Sequence, residues 1–460
     1  KTVAREFSKD ILKTVVVDYP RLKEGRDRAI EMDAKFNSED YHNWHPYESY
    51  RDEFKVYYAG VKASVNYAVK EFEQKKAAWR WTRSETARTG SIDVNKLWAY
   101  KTDDDIFSRV TRLADAKNHG LIGLIDYSGS MSSCMGDVLD QVCHLAVFCK
   151  AVNIPFDFYG FTSENRNLVP EWRDGYDEEK AVKQSDGEIH HSQLSMPNIL
   201  SSNMKKSEFE DAVYHCYVRR AKSVDWYTND ERQICSKEET YGSTPLNEAL
   251  VATTQIIKKF QRKYNVDKMN LVVISDGDAN GINTFKDHDN KLIKRTQEGF
   301  GSYDGGMIIH LDGRVIETAN RRRGCTTALL ENLQKHYGVT TLGFFITDGA
   351  HGWRSKLQDL YDATATEDFH GYWSEAGDDF RKGMNKEYNK NKCCIVNDVH
   401  GYGTYYLLKG GYNTLNTEGE EFNPDIGSTK GQITSAFKKS AKTGKKNKVL
   451  LSNIGATVAQ

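Results

Sequence analysis

The chain has 460 residues, and its 64 Lys and Arg are balanced by 65 Asp and Glu for a formal net charge of −1. That balance leaves no global field to attract nucleic acid or an anionic membrane, so a partner must be recognised locally. A hydrophobic content of 38% with only 7 prolines excludes global disorder and Pro-rich low complexity, and the length suits roughly two to four domains.

Residues 1–117 read as a helical N-terminal region. Its clearest element runs from Tyr50 to Trp81, where Tyr50, Phe54, Tyr57, Val61, Val65, Ala68 and Phe72 recur at spacings of three and four and form one apolar stripe. The stripe needs a partner, expected within residues 1–45 or on another chain. Lys1 to Asp10 carries Arg5, Glu6 and Lys9 where a secretory leader has an apolar run, and no apolar stretch approaches the ~18 residues that cross a bilayer. The eight cysteines include no CxxC pair. A cytoplasmic protein with reduced thiols and no membrane partner is expected.

From about Asn118 short apolar strands alternate with amphipathic helices: Leu121 to Asp126, Val138 to Val152, Phe156 to Phe161, Leu246 to Tyr264, Met269 to Ser275, Leu329 to Tyr337, Thr341 to Thr347, Tyr405 to Lys409 and Gln432 to Ala441. Such alternation predicts an α/β doubly wound domain over 118–460 with a mostly parallel sheet covered on both faces. Two polar stretches, about 163–241 and 277–324, are too long for ordinary connections and read as insertions.

The first strand ends in Asp126-Tyr-Ser128-Gly-Ser130-Met131, ahead of a helix expected near Ser133. In a doubly wound sheet, ligands bind at the carboxyl ends of strands, so these oxygens face the expected crevice. One carboxylate and two hydroxyls are hard donors suited to Mg²⁺ or Mn²⁺. Alone, the motif reads better as a helix cap made by Ser130 or Ser132 with help from Asp126. Two later segments add to it. Tyr241-Gly-Ser-Thr244-Pro245 is a glycine-containing loop that enters a helix, and Leu271-Val-Val-Ile-Ser-Asp276-Gly277 is a second strand ending in Asp.

These three segments, in this order, resemble the metal-ion-dependent adhesion site (MIDAS) of the von Willebrand factor A fold. The resemblance implies that Ser128, Ser130 and Thr244 contact the metal through hydroxyls, with Asp126 and Asp276 holding it directly or through water. It implies Mg²⁺, or Mn²⁺ or Ca²⁺ in its place, with one coordination position open to water or to a client protein's carboxylate. Asp348, in Phe345-Ile-Thr-Asp348-Gly349, competes with Asp276. It is set aside because in this fold only the strand after the Thr244 helix lies beside the first strand. Asp278 is expected to be a solvated loop carboxylate or an outer acceptor, and His190-His191 surface histidines. Lys438 to Lys448 and Arg321 to Arg323 read as solvated basic faces.

Ahead of the metal motif, Thr89-Gly90-Ser-Ile-Asp93 leads to a short helix and then to Ile106-Phe-Ser-Arg109. This lead-in is similar to that of the T subunit of aerobic cobaltochelatase and of NorD-type proteins, and Ser243-Thr-Pro-Leu-Asn-Glu-Ala with the Tyr-rich later region is similar to cobaltochelatase-T-like proteins encoded by large tailed bacteriophages. The resemblance implies an AAA+ ATPase partner of the MoxR or cobaltochelatase-S type. The chain itself lacks a GxxxxGK[ST] loop, a HExxH helix and a nucleophile with a paired base, so no catalytic activity of its own is expected. An accessory subunit of a cobalt or magnesium chelatase and an RNA-binding von Willebrand A protein are the alternatives, with nucleic acid disfavoured by the neutral charge.

Overall fold

The computed structural model describes residues 2–37, 47–82, 85–92, 107–112, 118–163, 184–191, 194–221, 234–286, 291–295, 306–319, 323–347, 349–364, 372–391, 393–409 and 453–454. The chain opens with β1 (Thr2–Arg5), α1 (Lys9–Val15), β2 (Val16–Val17) and α2 (Tyr19–Asn37), and α3 (Arg51–Thr82) leads to a hairpin of β3 (Glu85–Ile92) and β4 (Phe107–Arg112). The repeat of strand and helix follows with β5 (His119–Asp126), α4 (Met135–Ala151), β6 (Phe156–Phe161), β7 (Met196–Ser201), α5 (Lys206–Ala221), α6 (Leu246–Tyr264) and β8 (Lys268–Ser275). Next come a hairpin of β9 (Asn283–Lys286) and β10 (Lys291–Arg295), then β11 (Met307–Leu311), β12 (Arg314–Glu317) and α7 (Gly324–Tyr337). The described elements end with β13 (Val339–Thr347), α8 (Gly349–Thr364), α9 (Glu375–Asn391), β14 (Cys394–Val399) and β15 (Tyr402–Lys409).

One sheet of eight strands has the order β14-β15-β13-β8-β5-β6-β7-β2. The stretch from β15 to β6 is parallel throughout, and β14 and β7 run antiparallel to β15 and β6. The chain lays down β5 in the middle, moves out through β6 and β7, then crosses to β8 and moves out the other way. The strand order therefore reverses at β5, which makes the carboxyl ends of β5 and β8 the switch point of a doubly wound sheet.

Every residue of β5 is buried, as a strand covered on both faces requires. Leu121 and Ile125 join a core with α3, α4 and α5, while Ile122 and Leu124 join a second core with α1, α6, α7 and α8. Between them Gly123 leaves room for the Phe158 ring, which occupies the space a Cβ would need.

The apolar stripe of α3 packs on α4 and α5 of the α/β domain. Phe54 meets Tyr214 edge-on at 5.0 Å, Phe72 meets Phe148 at 5.4 Å, and the Tyr57 hydroxyl donates to Asp140 Oδ1 at 2.8 Å. The helical N-terminal region also contributes strands, since β1 runs parallel to β11 and β2 parallel to β7. Within 163–241, β7 and α5 are integral to the sheet and its cover rather than insertions. The Pro197-Asn198 pair in β7 disguises a buried strand, tolerated beside the register shift in its pairing with β6. All eight cysteines are buried thiols, none in a disulfide. Among the described residues no helix is long and apolar enough to cross a membrane.

Candidate functional site

β5 and β8 are adjacent parallel strands whose register sets Ile125 beside Ile274, so Asp126 ends level with Ser275. Asp126 is fully buried. Its Oδ1 accepts from the Ser128 amide at 2.8 Å and its Oδ2 from the Ser275 hydroxyl at 2.6 Å. From there hydroxyls link the two strand ends: Ser128 Oγ lies 3.1 Å from Ser130 Oγ, and Ser130 Oγ donates to Asp276 Oδ1 at 2.9 Å. Ser130 thus turns toward β8 instead of capping a helix. A single 3-10 turn, Gly129–Ser133, follows the motif, and α4 starts at Met135 with no side-chain cap.

The loop bearing Thr244 is tied to this group through the backbone. Gly242 N–H donates to the Tyr127 carbonyl and the Gly242 carbonyl accepts from Gly129 N–H, both at 3.0 Å. Thr244 is buried, and its Oγ1 stands 3.6 Å from where a Cβ on Gly277 would be, so the hydroxyl borders the β8 strand end. Pro245 takes the cap position of α6, just outside its first turn. The structure therefore gathers Asp126, Ser128, Ser130 and Asp276 into one hydrogen-bonded chain with Thr244 at its border, Ser130 exposed and Asp276 half-buried at its mouth.

Burial first, and the neighbouring Asp276 charge second, push the Asp126 carboxyl up to about 7, against the opposing hydrogen bonds from Ser275 and Ser128. Two carboxylates converging in a dry corner, with hydroxyls between them, form a donor set that fits a hard dication, which would relieve their repulsion. Among the described residues no three His, Cys, Asp or Glu form a group that could hold a metal ion.

Two ion networks, one buried and one half-buried, flank the group. On one side Glu239 takes Arg26 Nε at 2.8 Å and Arg26 Nη2 at 2.5 Å, while Arg219 Nη2 donates to the Glu239 carbonyl at 2.9 Å. Burial alone would raise the Glu239 carboxyl, but Arg26 and then His215 and Arg219 hold it down to about 2. On the other side Asp278 is not solvated: it accepts from Arg323 Nε at 2.7 Å and Lys356 Nζ at 3.3 Å, and Asp359 takes Arg323 Nη2 at 2.8 Å. Arg323 is therefore a buried partner and not a solvated basic face. Arg321, Arg322, Asp348, Lys438 to Lys448 and the Gln432 to Ala441 stretch lie outside the described residues. Likewise Gly90 and Ile92 lie on β3 and Phe107 and Arg109 on β4, while Asp93 and Ile106 fall outside them.

His190 and His191 are buried and stacked at 4.9 Å, because residues 188–190 pair with the backbone of β9 and draw both rings inward. Sequence reasoning missed Ser275, Glu239 and Arg26. For Ser275 the signal was present, since two strands that end together place the residue before Asp276 against Asp126.

The main-sheet order, with Asp126 and Asp276 on adjacent strand ends at its switch point, is that of a doubly wound α/β fold. No family model and no curated protein matches the chain. Among solved structures it is similar to the pilus adhesin SpaC from Lactobacillus rhamnosus GG in its open conformation, at 13% identity and a TM-score of 0.29, over 67% of this chain and 33% of the adhesin. It is also similar to the vWF domain of the type V pili tip protein Mfa5 from Porphyromonas gingivalis, at 10% identity and a TM-score of 0.25, over 60% of this chain and 97% of that domain. The chain thus spans about a third of the adhesin's length.

Proposed function

We propose that the chain is a metal-dependent protein-docking subunit that works with an AAA+ ATPase of the MoxR or cobaltochelatase-S type, in the manner of the cobaltochelatase T subunit it resembles. One Mg²⁺-class ion is held by Asp126, Ser128, Ser130, Thr244 and Asp276. A carboxylate from a client protein completes the shell through a charge-assisted contact in a partly desolvated crevice. The observation that carries this reading is the hydrogen-bonded run from Asp126 through Ser128 and Ser130 to Asp276, set across two adjacent strand ends at the switch point. Hydroxyls that link two carboxylates in this way are poised to turn their lone pairs to a shared cation.

Calorimetry with Mg²⁺ and Mn²⁺ tests the ion: binding is expected in the native chain, lost in Asp126→Ala and in Asp276→Ala. Normal binding by Asp276→Ala would overturn the donor assignment. Affinity capture from a native extract followed by mass spectrometry tests the partner, with an ATPase ring retained and a client released by EDTA as the expected result. Recovery of a tetrapyrrole-binding subunit or of RNA would favour the chelatase or RNA-binding alternatives instead.

A further inference from the structure

We infer that Arg26, on the N-terminal helix α2, is a positioning residue for the strand-end group, and that metal binding and the docking of α2 reinforce each other through Glu239 and Arg219. The inference rests on the metal reading above and deepens it, by naming what sets the spacing of the two hydroxyl-bearing loops.

The geometry is a relay of contacts. Arg26 grips the Glu239 carboxylate with two donors, and all three of Arg26, Arg219 and Glu239 are buried. Arg219 fastens the Glu239 carbonyl from the other side, and its guanidinium carbon sits 4.3 Å from the centre of the Tyr127 ring and 5.2 Å from that of Tyr241. These two tyrosines belong to the two loops of the site. Tyr127 stands between Asp126 and Ser128, and Tyr241 begins the loop that carries Thr244. The loops are joined where Gly242 bonds to Tyr127 and Gly129. A cation held between two aromatic faces fixes their separation, so a shift of residues 239–242 is carried into the Ser128 turn.

A buried ion cluster is weak evidence for stability by itself, because desolvation offsets much of its attraction. A dication is a more demanding customer of geometry: supporting residues outside the ligand shell typically change metal affinity by about 10–100-fold when altered. Reciprocity then requires the ion to strengthen the α2 contact by the same factor that the contact strengthens the ion.

The test uses the full chain and Mg²⁺ alone. Calorimetry of Arg26→Met is expected to show affinity reduced by about tenfold or more, with Arg26→Lys recovering part of the loss. Amide exchange in the unaltered chain provides a readout that a merely structural role would not move. Mg²⁺ should slow exchange across Tyr19–Asn37 by about fivefold more than across the remote helix α9. Equal protection of α2 and α9, or a folded Arg26→Met variant that binds Mg²⁺ as the native chain does, would overturn the inference. Where Arg26→Met does not fold, the exchange comparison decides. Absence of any Mg²⁺ or Mn²⁺ binding by the native chain would remove the metal reading and the inference together, an outcome distinct from the other two.

Discussion

Gly160 lies in β6 directly against Tyr127, and a Cβ there would come within 2.8 Å of the ring. Tyr127 is held by Arg219 and cannot retreat freely. Gly160→Ala should therefore destabilise the fold by about 1–3 kcal/mol in denaturant unfolding. Buried His190 carries a pH signature. Burial, and then His191, depress His190 to about 4, whereas an unfolded histidine titrates near 6.5. Between those values the unfolded chain binds more protons, so this contribution is present above about pH 6.5 and is lost as pH falls toward 4. Urea unfolding at pH 7 and pH 5 should show a smaller drop for His190→Asn than for the native chain. Asp126, Ser128, Ser130 and Asp276 were legible in sequence because strand ends and an Asp-x-Ser-x-Ser spacing are local signals. Glu239 and Arg26 were not, since they lie 213 residues apart and no pattern in either segment announces the other.

Helix α3 shows the same division between local and non-local information. Its spacing by threes and fours marked the buried face, because an apolar stripe is a property of one helix. Which surface it covers depends on α4 and α5, and the polar look of β7 concealed the element that leads into α5. An aspartate at Val61, which is 2% exposed, should lower stability by about 3 kcal/mol or more, while Val56→Asp, at 76% exposed, should stay within about 0.5 kcal/mol. Thermal melts of the two variants make the comparison. Similar losses at both positions would mean that α3 packs differently from the contacts with Tyr214 and Phe148 described above.

At the scale of the molecule, the two cores are filled from both ends of the sequence. Ala4, Phe7, Ile11 and Val15 belong to the core that also holds α6 and α7, and Val17 and Leu22 to the core that holds α4 and α5. Removing residues 1–37 opens both. A shortened chain starting at residue 38 should lose the cooperative melt of the full chain and bind an apolar dye, whereas an independent N-terminal unit would leave the remainder with a sharp transition. The α/β class was readable from alternating strands and helices, but the participation of the first residues was not. β2 is only two residues long, and β1 borrows its partner from the far side of the chain.

That borrowed pairing imposes a schedule on synthesis. Thr2 pairs with Met307 and Arg5 with His310. At ribosomal speeds of about 5–20 residues per second, the first strand leaves the exit tunnel roughly 15–60 s before its partner exists. Throughout that wait Phe7, Ile11 and Val15 have no completed core to enter, so the nascent chain presents this apolar segment to whatever chaperone stands at the tunnel mouth. Slowed translation would lengthen this exposure, and misfolding in the cell should then rise with ribosome pausing even where the finished protein is stable.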